Sequence, residues 1–308
     1  MVTNAAVVSD GTDHAHHRLA VMLVLVSSTI NSAGGLLLRS IDVAGPWHVL
    51  FYRQGALALA LILVLALRHR GRIVLEFIGI GRHGVLAGMA MGAGATCYIL
   101  SLSNTMVANT LFILSATPFV TAVLAWVWLK EPVRRNTWIA MALALVGIAI
   151  MVGGGFAAGS VFGNVMALIT VLCFSCFVVL LRRGRATNML AAVVFGASIA
   201  SINAAIILKG DFAISLHDLV ICLAWGGGLS TFVHFLFVWS SRFVRGAELM
   251  LLVLVEFILG PLWVWIFVAE VPRTATLIGG AVVLVTVASH ALLSLRGEKA
   301  TTAGTMTE

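Results

Sequence analysis

Apolar residues run along this chain in ten blocks, each roughly 20 residues long and each closed by a short polar connection. The hydrocarbon core of a bilayer is about 30 Å thick and a helix advances about 1.5 Å per residue, so about 20 apolar residues make one crossing. The pattern predicts transmembrane helices at 19–38, 47–67, 84–104, 106–129, 137–156, 160–181, 188–208, 218–240, 246–268 and 274–295. The third and fourth blocks run together through Leu102 to Val107, and their division rests on length and on the polar Ser103, Asn104 and Thr105. The expected fold class is an all-α integral membrane protein with ten transmembrane helices.

Composition excludes the alternatives. With 61% hydrophobic residues, 10% charged and a mean hydropathy of +1.08, the 308 residues do not suit a soluble globular domain. A net charge of +7 would suit nucleic acid only if the basic residues gathered on one solvent-facing surface, and here they sit at helix ends. Their distribution orients the chain. One set of ends carries Arg18, Arg68, Arg70, Arg72, Arg82, Lys130, Arg134, Arg135, Arg182, Arg183, Arg185, Arg242, Arg245, Arg296 and Lys299, whereas the other carries Arg39, Lys209 and Arg273. Fifteen against three is a positive-inside signal that places both termini in the cytoplasm.

Residues 1–18 lack the basic start of a secretory signal and read as a solvated cytoplasmic tail, with His14, His16 and His17 on it. Cys97, Cys173, Cys176 and Cys222 all fall within apolar blocks, so no disulfide is expected. The Cys173-x-x-Cys176 pair reads as small packing residues on a helix face.

Compared with itself, the chain shows a repeat. Trp126-Val127-Trp128-Leu129-Lys130-Glu131-Pro132 resembles Trp265-Ile266-Phe267-Val268-Ala269-Glu270-Val271, and in that register Ala108 meets Ala247, Arg134 meets Arg273 and Thr137 meets Thr276. Leu38-Arg39 likewise matches Leu181-Arg182, and Gly55 matches Gly196. Five helices used twice must insert the second copy upside down, which makes a 5+5 inverted-topology repeat with its substrate site near the midplane between the halves. The predicted division is a tail over 1–18, repeats over 19–156 and 160–296, and a second cytoplasmic tail over 297–308.

These residues resemble the drug/metabolite transporter superfamily, specifically its paired EamA-type domains. Phe51-Tyr52-Arg53, Pro118 with Trp128-Leu129-Lys130-Glu131-Pro132, and Glu256 carry the resemblance, which spans about Leu19 to Leu295. The second copy departs from the pattern: Glu256-Phe257 stands where members often have Glu-Pro, with the proline displaced to Pro261, and Ala269-Glu270 stands where they often have Gly-Glu. The resemblance implies efflux of small metabolites, with bacterial amino-acid exporters the nearest subgroup, and by analogy a bacterial inner membrane.

Several residues are candidates for the substrate site. Glu256 stands mid-span, where a charge costs about 2.5 to 3.5 kcal/mol or more, so it must be neutral, paired or facing water. It is either a proton-linked site or partner for a substrate ammonium, or a carboxyl bonded to a neighbouring helix. Arg53, a minor candidate, either snorkels to the interface or binds a substrate carboxylate. Asn31, Tyr98, Ser115, Thr117, Ser175, Trp225 and His234 offer polar and aromatic groups at comparable depths, for ligand or for helix contacts. His234 is an alternative proton carrier. Pro118 and Pro261 are expected to kink their helices and free the carbonyls of Leu114 and Phe257. Gly227, within the run Gly226-Gly227-Gly228, marks a bend or static kink, and Gly84, Gly88 and Gly92 mark a close-packing face.

No Walker-type motif occurs, and no cofactor, metal site or catalytic residue is expected. The favoured function is a secondary transporter exporting small amphiphilic metabolites, amino acids first, by alternating access. The alternatives are a different cargo (a drug-like cation, a nucleotide sugar or a vitamin) or an intramembrane enzyme, for which Ser175 and His234 would be the pair on paper. The partners expected are the substrate and the bilayer, with the protein either monomeric or dimeric.

Overall fold

The computed structural model describes residues 3–69, 73–105, 110, 113–153, 161–184, 189–268 and 274–304. Those residues form helices α1 (Thr3–Asn31), α2 (Gly34–Arg39), α3 (Pro46–His69), α4 (Ile73–Gly79), α5 (Gly81–Asn104) and α6 (Thr117–Leu129). They continue as α7 (Arg135–Gly153), α8 (Val161–Arg183), α9 (Leu190–Leu208) and α10 (Leu216–Leu223). A π-helical turn (Ala224–Ser230) then leads to α11 (Thr231–Ser240), α12 (Gly246–Val253), α13 (Val255–Val268) and α14 (Thr274–Gly304). No strand occurs among the described residues.

Six segments are long and apolar enough to cross a membrane: His16–Leu38, Pro46–Arg68, Gly81–Asn104, Val161–Arg183, Leu190–Leu208 and Leu216–Ser240. Thr117–Leu129, Arg135–Ile150 and Leu277–Leu293 are shorter apolar helices. The protein is therefore an all-helical, multi-pass membrane protein.

The helices depart from the predicted blocks in instructive places. The segment read as a tail is helical from Thr3, and α14 continues past 295 to Gly304, because a helix once nucleated extends at little further cost. Helix α4, unforeseen in the connection after α3, uses Phe77 to pack against the core, and the left-handed φ of +57° at Gly81 turns the chain into α5. The fourth block is interrupted at Ser115–Ala116, and Pro118 lies in the first turn of the α6 that follows, where its missing N–H has no intrahelical partner. The Leu114 carbonyl ahead of it accepts from Thr117 Oγ1 at 2.5 Å. Residues 106–109, 111 and 112 of that predicted helix lie outside the described ones, as do Ser160, Glu270, Val271 and Arg273.

Helix packing relies on small residues, because lipid tails are as apolar as the helices and provide no hydrophobic drive between them. The principal pairs are α5 with α8, α3 with α9, α7 with α14, α5 with α9, and α1 with α11. Between α5 and α9 the backbones nearly touch. A Cβ on Gly88 would stand 2.8 Å from the Ala192 carbonyl oxygen, on Gly92 2.8 Å from that of Gly196, and on Gly196 2.7 Å from that of Gly88. Gly84 is not part of this face, since its Cβ would meet Ile80 of the preceding turn.

The basic helix ends meet at one end of the bundle. Arg182, 6% exposed, donates from Nε (3.1 Å) and Nη2 to Glu131 Oε1 and from Nη1 to the Ser241 carbonyl (3.0 Å), tying the ends of α6, α8 and α11 together. Arg183 donates to His83 and to the Trp128 carbonyl, and Arg245 to the Pro132 carbonyl. Two of the histidines read as solvated have partners here: His16 stacks on Phe243 with centroids 5.1 Å apart, and His17 Nδ1 donates to the Phe243 carbonyl. At the opposite end the Asp218 carboxylate accepts from the backbone N–H groups of Asp42, Val43 and Ala44 at 2.9–3.1 Å, and Tyr52 donates to the Phe212 carbonyl.

Arg182→Met leaves Glu131 in a largely buried setting without its cation and is expected to cost about 3–5 kcal/mol. Adding Glu131→Met should recover most of that loss. Thermal unfolding in detergent checks both, and an Arg182→Met variant as stable as wild type would show that the pair does not hold this end.

Candidate functional site

Four of the predicted blocks are interrupted among the described residues: the fourth at Ser115–Ala116, and three others whose interruptions converge. The first span breaks at Ser32–Ala33 between α1 and α2, the eighth predicted block carries the π turn, and the ninth breaks at Leu254 between α12 and α13. Each break is closed locally: the N–H of Ala33 reaches the Ile30 carbonyl (3.2 Å), that of Leu254 reaches Leu251 (3.1 Å), and Thr231 Oγ1 donates to the Gly226 carbonyl (3.1 Å). Interruptions such as these are tolerated in a membrane only where protein or a water-filled cavity surrounds them. In transporters, discontinuous helices line the binding site.

Side chains from the breaks meet. Asn31, the last residue of α1, donates Nδ2 to Glu256 Oε2 at 2.8 Å. Glu256 lies in the first turn of α13, where unpaired N–H groups and the helix dipole favour a carboxylate. Trp225 of the π turn is 7% exposed and packs edge against α2: a Cβ on Gly34 would lie 3.0 Å from the indole ring. Its face carries the Arg53 guanidinium, 4.3 Å from the ring centroid. Gly226 lets the backbone of α3 approach, since a Cβ there would fall 2.0 Å from the Arg53 carbonyl oxygen. Ser32 donates to the Thr29 carbonyl and accepts from Trp263 Nε1 at 2.7 Å, locking α13 onto the first break.

Arg53 is within electrostatic reach of Tyr98, Glu256, Cys222 and His234. Arg53, Tyr98, His234 and Glu256 lie deep in the protein yet keep accessible surface, so they line a space rather than filling it. His234 Nδ1 donates to the Ser230 carbonyl at 2.7 Å, which leaves Nε2 as the free end of the ring. Around this space several buried polar atoms have no protein partner: Arg53 Nε, Trp225 Nε1, Ser230 Oγ, Gln54 Oε1 and Ser28 Oγ. Unpaired buried groups are rare in native proteins, and a cluster of them marks a place where water or ligand supplies the partner.

Residues 18–153 match the EamA-like transporter family. The first half of this chain is thus similar to that family. The likeness to solved structures carries the fold into the second half: a crystal structure described only as that of a protein superposes with a TM-score of 0.74 at 19% identity, covering 90% of this chain and 97% of that one. No curated protein matches the chain.

Within this fold the sequence candidates separate into two groups. Asn31, Arg53, Tyr98, Trp225, His234 and Glu256 come together at the converging breaks. Thr117 and Ser175 instead join α6 to α8, Ser175 Oγ reaching the Thr117 carbonyl at 3.4 Å, and Ser115 is buried just ahead of α6. The predicted gating glycine is also displaced: Gly227 has its nearest neighbour, Ala56, at an ordinary 3.8 Å, whereas Gly226 makes the close approach. The break in the ninth block lies at Leu254 rather than at Pro261, whose side chain is outside the described ones. Trp263, near the end of the ninth block, points its indole N–H to Ser32 in the bundle.

Sequence reasoning missed Gly34, although the run Asn31-Ser32-Ala33-Gly34-Gly35 inside an apolar block was a visible sign of a broken helix. Asp42, His217 and Asp218 bring metal-ligand atoms together at the opposite end, but both Asp218 oxygens already serve the backbone of residues 42–44. Cys173 is a packing residue, its Cβ 3.0 Å from where a Cβ on Gly94 would stand.

Gly226→Ala is expected to lose about 1–3 kcal/mol through overpacking against α3, whereas Gly228→Ala, which meets nothing within 4 Å, should be neutral. Apparent melting temperatures of the two purified variants decide this; equal values would show that the π turn does not need the close approach.

Proposed function

We propose that the protein is a secondary transporter that exports small amphiphilic metabolites, amino acids first, across a bacterial inner membrane with its basic end in the cytoplasm. Its working unit is ten transmembrane helices in two inverted five-helix repeats, residues 19–156 and 160–296. The packing supports this reading. Exchanging each predicted block for the one five places along the chain turns the α5–α8 contact into α1–α11, α5–α9 into the contact of α3 with the π turn, and α6–α8 into that of α12 and α13 with α1. The α3–α9, α7–α14 and α6–α12 contacts map onto themselves. A two-fold relation in the membrane plane places a shared site between the halves, and alternating access then rocks one half against the other.

The observation that carries the function is the buried polar cluster at the converging breaks, in which Arg53, Glu256 and Asn31 share a space with Trp225, Tyr98 and His234. Charged groups at that depth are retained for substrates and ions. Donors and acceptors at one place, with aromatic walls beside them, suit a molecule that is polar at one end and apolar at the other. In this conformation Arg182 links Glu131 and Ser241 at the basic end, and transport requires those bonds to part and re-form. The chemistry is binding and release, with no covalent step.

Counterflow of labelled methionine, threonine and phenylalanine in proteoliposomes, beside a quaternary amine, tests the reading. An amino-acid signal well above protein-free liposomes, with none for the amine, is expected. Uptake of the amine alone would replace the cargo.

A further inference from the structure

The central site holds two opposite charges that do not touch, and that separation defines its ligand. Arg53 on α3 and Glu256 on α13 act on one another electrostatically, yet no ion pair within 4.0 Å joins them among the described residues. Buried opposite charges ordinarily close on each other, because the attraction strengthens as the surroundings become less polar. Here each is held by something else. The guanidinium carbon lies over the Trp225 ring, 4.3 Å from its centroid, and one Glu256 oxygen is fixed by Asn31 at 2.8 Å.

The Arg53 edge is left open. Its Nε is buried without a partner, and Nε with the neighbouring Nη forms the side-on fork that a planar carboxylate accepts bidentately. The contact with the Trp225 ring leaves Nε without a hydrogen bond, so a carboxylate on that edge does not compete with it. At the other pole, Glu256 keeps a second oxygen beside the one that Asn31 holds, and Asn31 prevents the carboxylate from swinging to Arg53.

We propose, resting on the transport reading above, that Arg53 and Glu256 are the two poles of a zwitterion site: Arg53 takes the α-carboxylate and Glu256 the α-ammonium of an unmodified α-amino acid. A zwitterion placed between them satisfies both poles while adding no net charge to the bundle. An amine without its carboxylate leaves Arg53 uncompensated, and an acid without its ammonium leaves Glu256 so. Selection by this site therefore rests on the two termini together, and the side chain is read by the rest of the lining. Asn31 and Trp225 are positioning residues in this scheme, since they hold the poles apart.

The test uses the full-length protein in proteoliposomes and whichever of methionine, threonine or phenylalanine gives the strongest counterflow. Four competitors of the same side chain are compared: the amino acid itself, its amide, its N-acetyl derivative and its decarboxylated amine. Wild type should discriminate against each of the last three by at least tenfold. Arg53→Gln should abolish the preference for the acid over the amide and the amine, and Glu256→Gln should abolish the preference for the free ammonium over the N-acetyl form, each leaving the other preference in place.

Wild-type counterflow inhibited equally by the amide or by the N-acetyl derivative would overturn the proposal while leaving amino-acid transport intact. Variants that lose both preferences together would also overturn it, since the poles would then not be separate. Absence of amino-acid counterflow in wild type would instead remove the transport reading itself. The wild-type competition series decides the proposal even where a variant fails to fold.

Discussion

Inside a bilayer every backbone N–H and C=O must find its hydrogen bond within the protein, and the architecture of this chain follows from how that demand is met. Most of the helices meet it by running unbroken. Where the chain departs from a regular helix, at Ser32–Ala33, at Ala224–Ser230 and at Leu254, the released groups are taken up by short turns and by the hydroxyls of Ser32 and Thr231. The three departures come together in one place. Lipid solvates none of these groups, so the breaks survive only in the company of one another and of the helices around them.

Their convergence explains why polar side chains gather there. A helix that ends inside the membrane presents a partial charge at its new terminus, and Glu256 occupies the first turn of such a helix start. Asn31 closes the preceding break on α1 and reaches across to the same carboxylate. Close approach and open space alternate along the bundle. Glycines bring α5 onto α9 and the π turn onto α3, backbone against backbone. Between those contacts the large side chains Arg53, Tyr98 and Trp225 line the space at the breaks. The small residues fix the frame within which the large ones leave room.

The ends of the bundle are organised differently from its centre. At the basic end a buried arginine binds a glutamate and a carbonyl from two other helices, and at the opposite end Asp218 gathers three backbone N–H groups. Both are bonds between helix termini, where water competes and the helices have unpaired groups to satisfy. On the proposed transport reading, the contacts that exchange in a rocking motion lie at the rims, and the charges that meet a substrate lie in the middle.

The apolar blocks and their polar ends were sufficient to predict an all-helical membrane protein, because length and hydropathy are local properties and the bilayer imposes a fixed thickness. The internal match between the two halves and the isolated Glu256 were legible for the same reason: each is a departure from an otherwise apolar background. Which polar residues share a site was not legible. Thr117 and Ser175 looked like Asn31 and His234 in sequence, and only packing sent the first two to the α6–α8 contact and the others to the converging breaks. Proline drew attention to Pro118, which does follow a break at Ser115–Ala116, but breaks also fell at Ser32–Ala33 and Leu254, and the close approach belonged to Gly226 rather than Gly227. Where a helix can break depends on what lies beside it to satisfy its backbone, and that is a property of the assembled bundle alone.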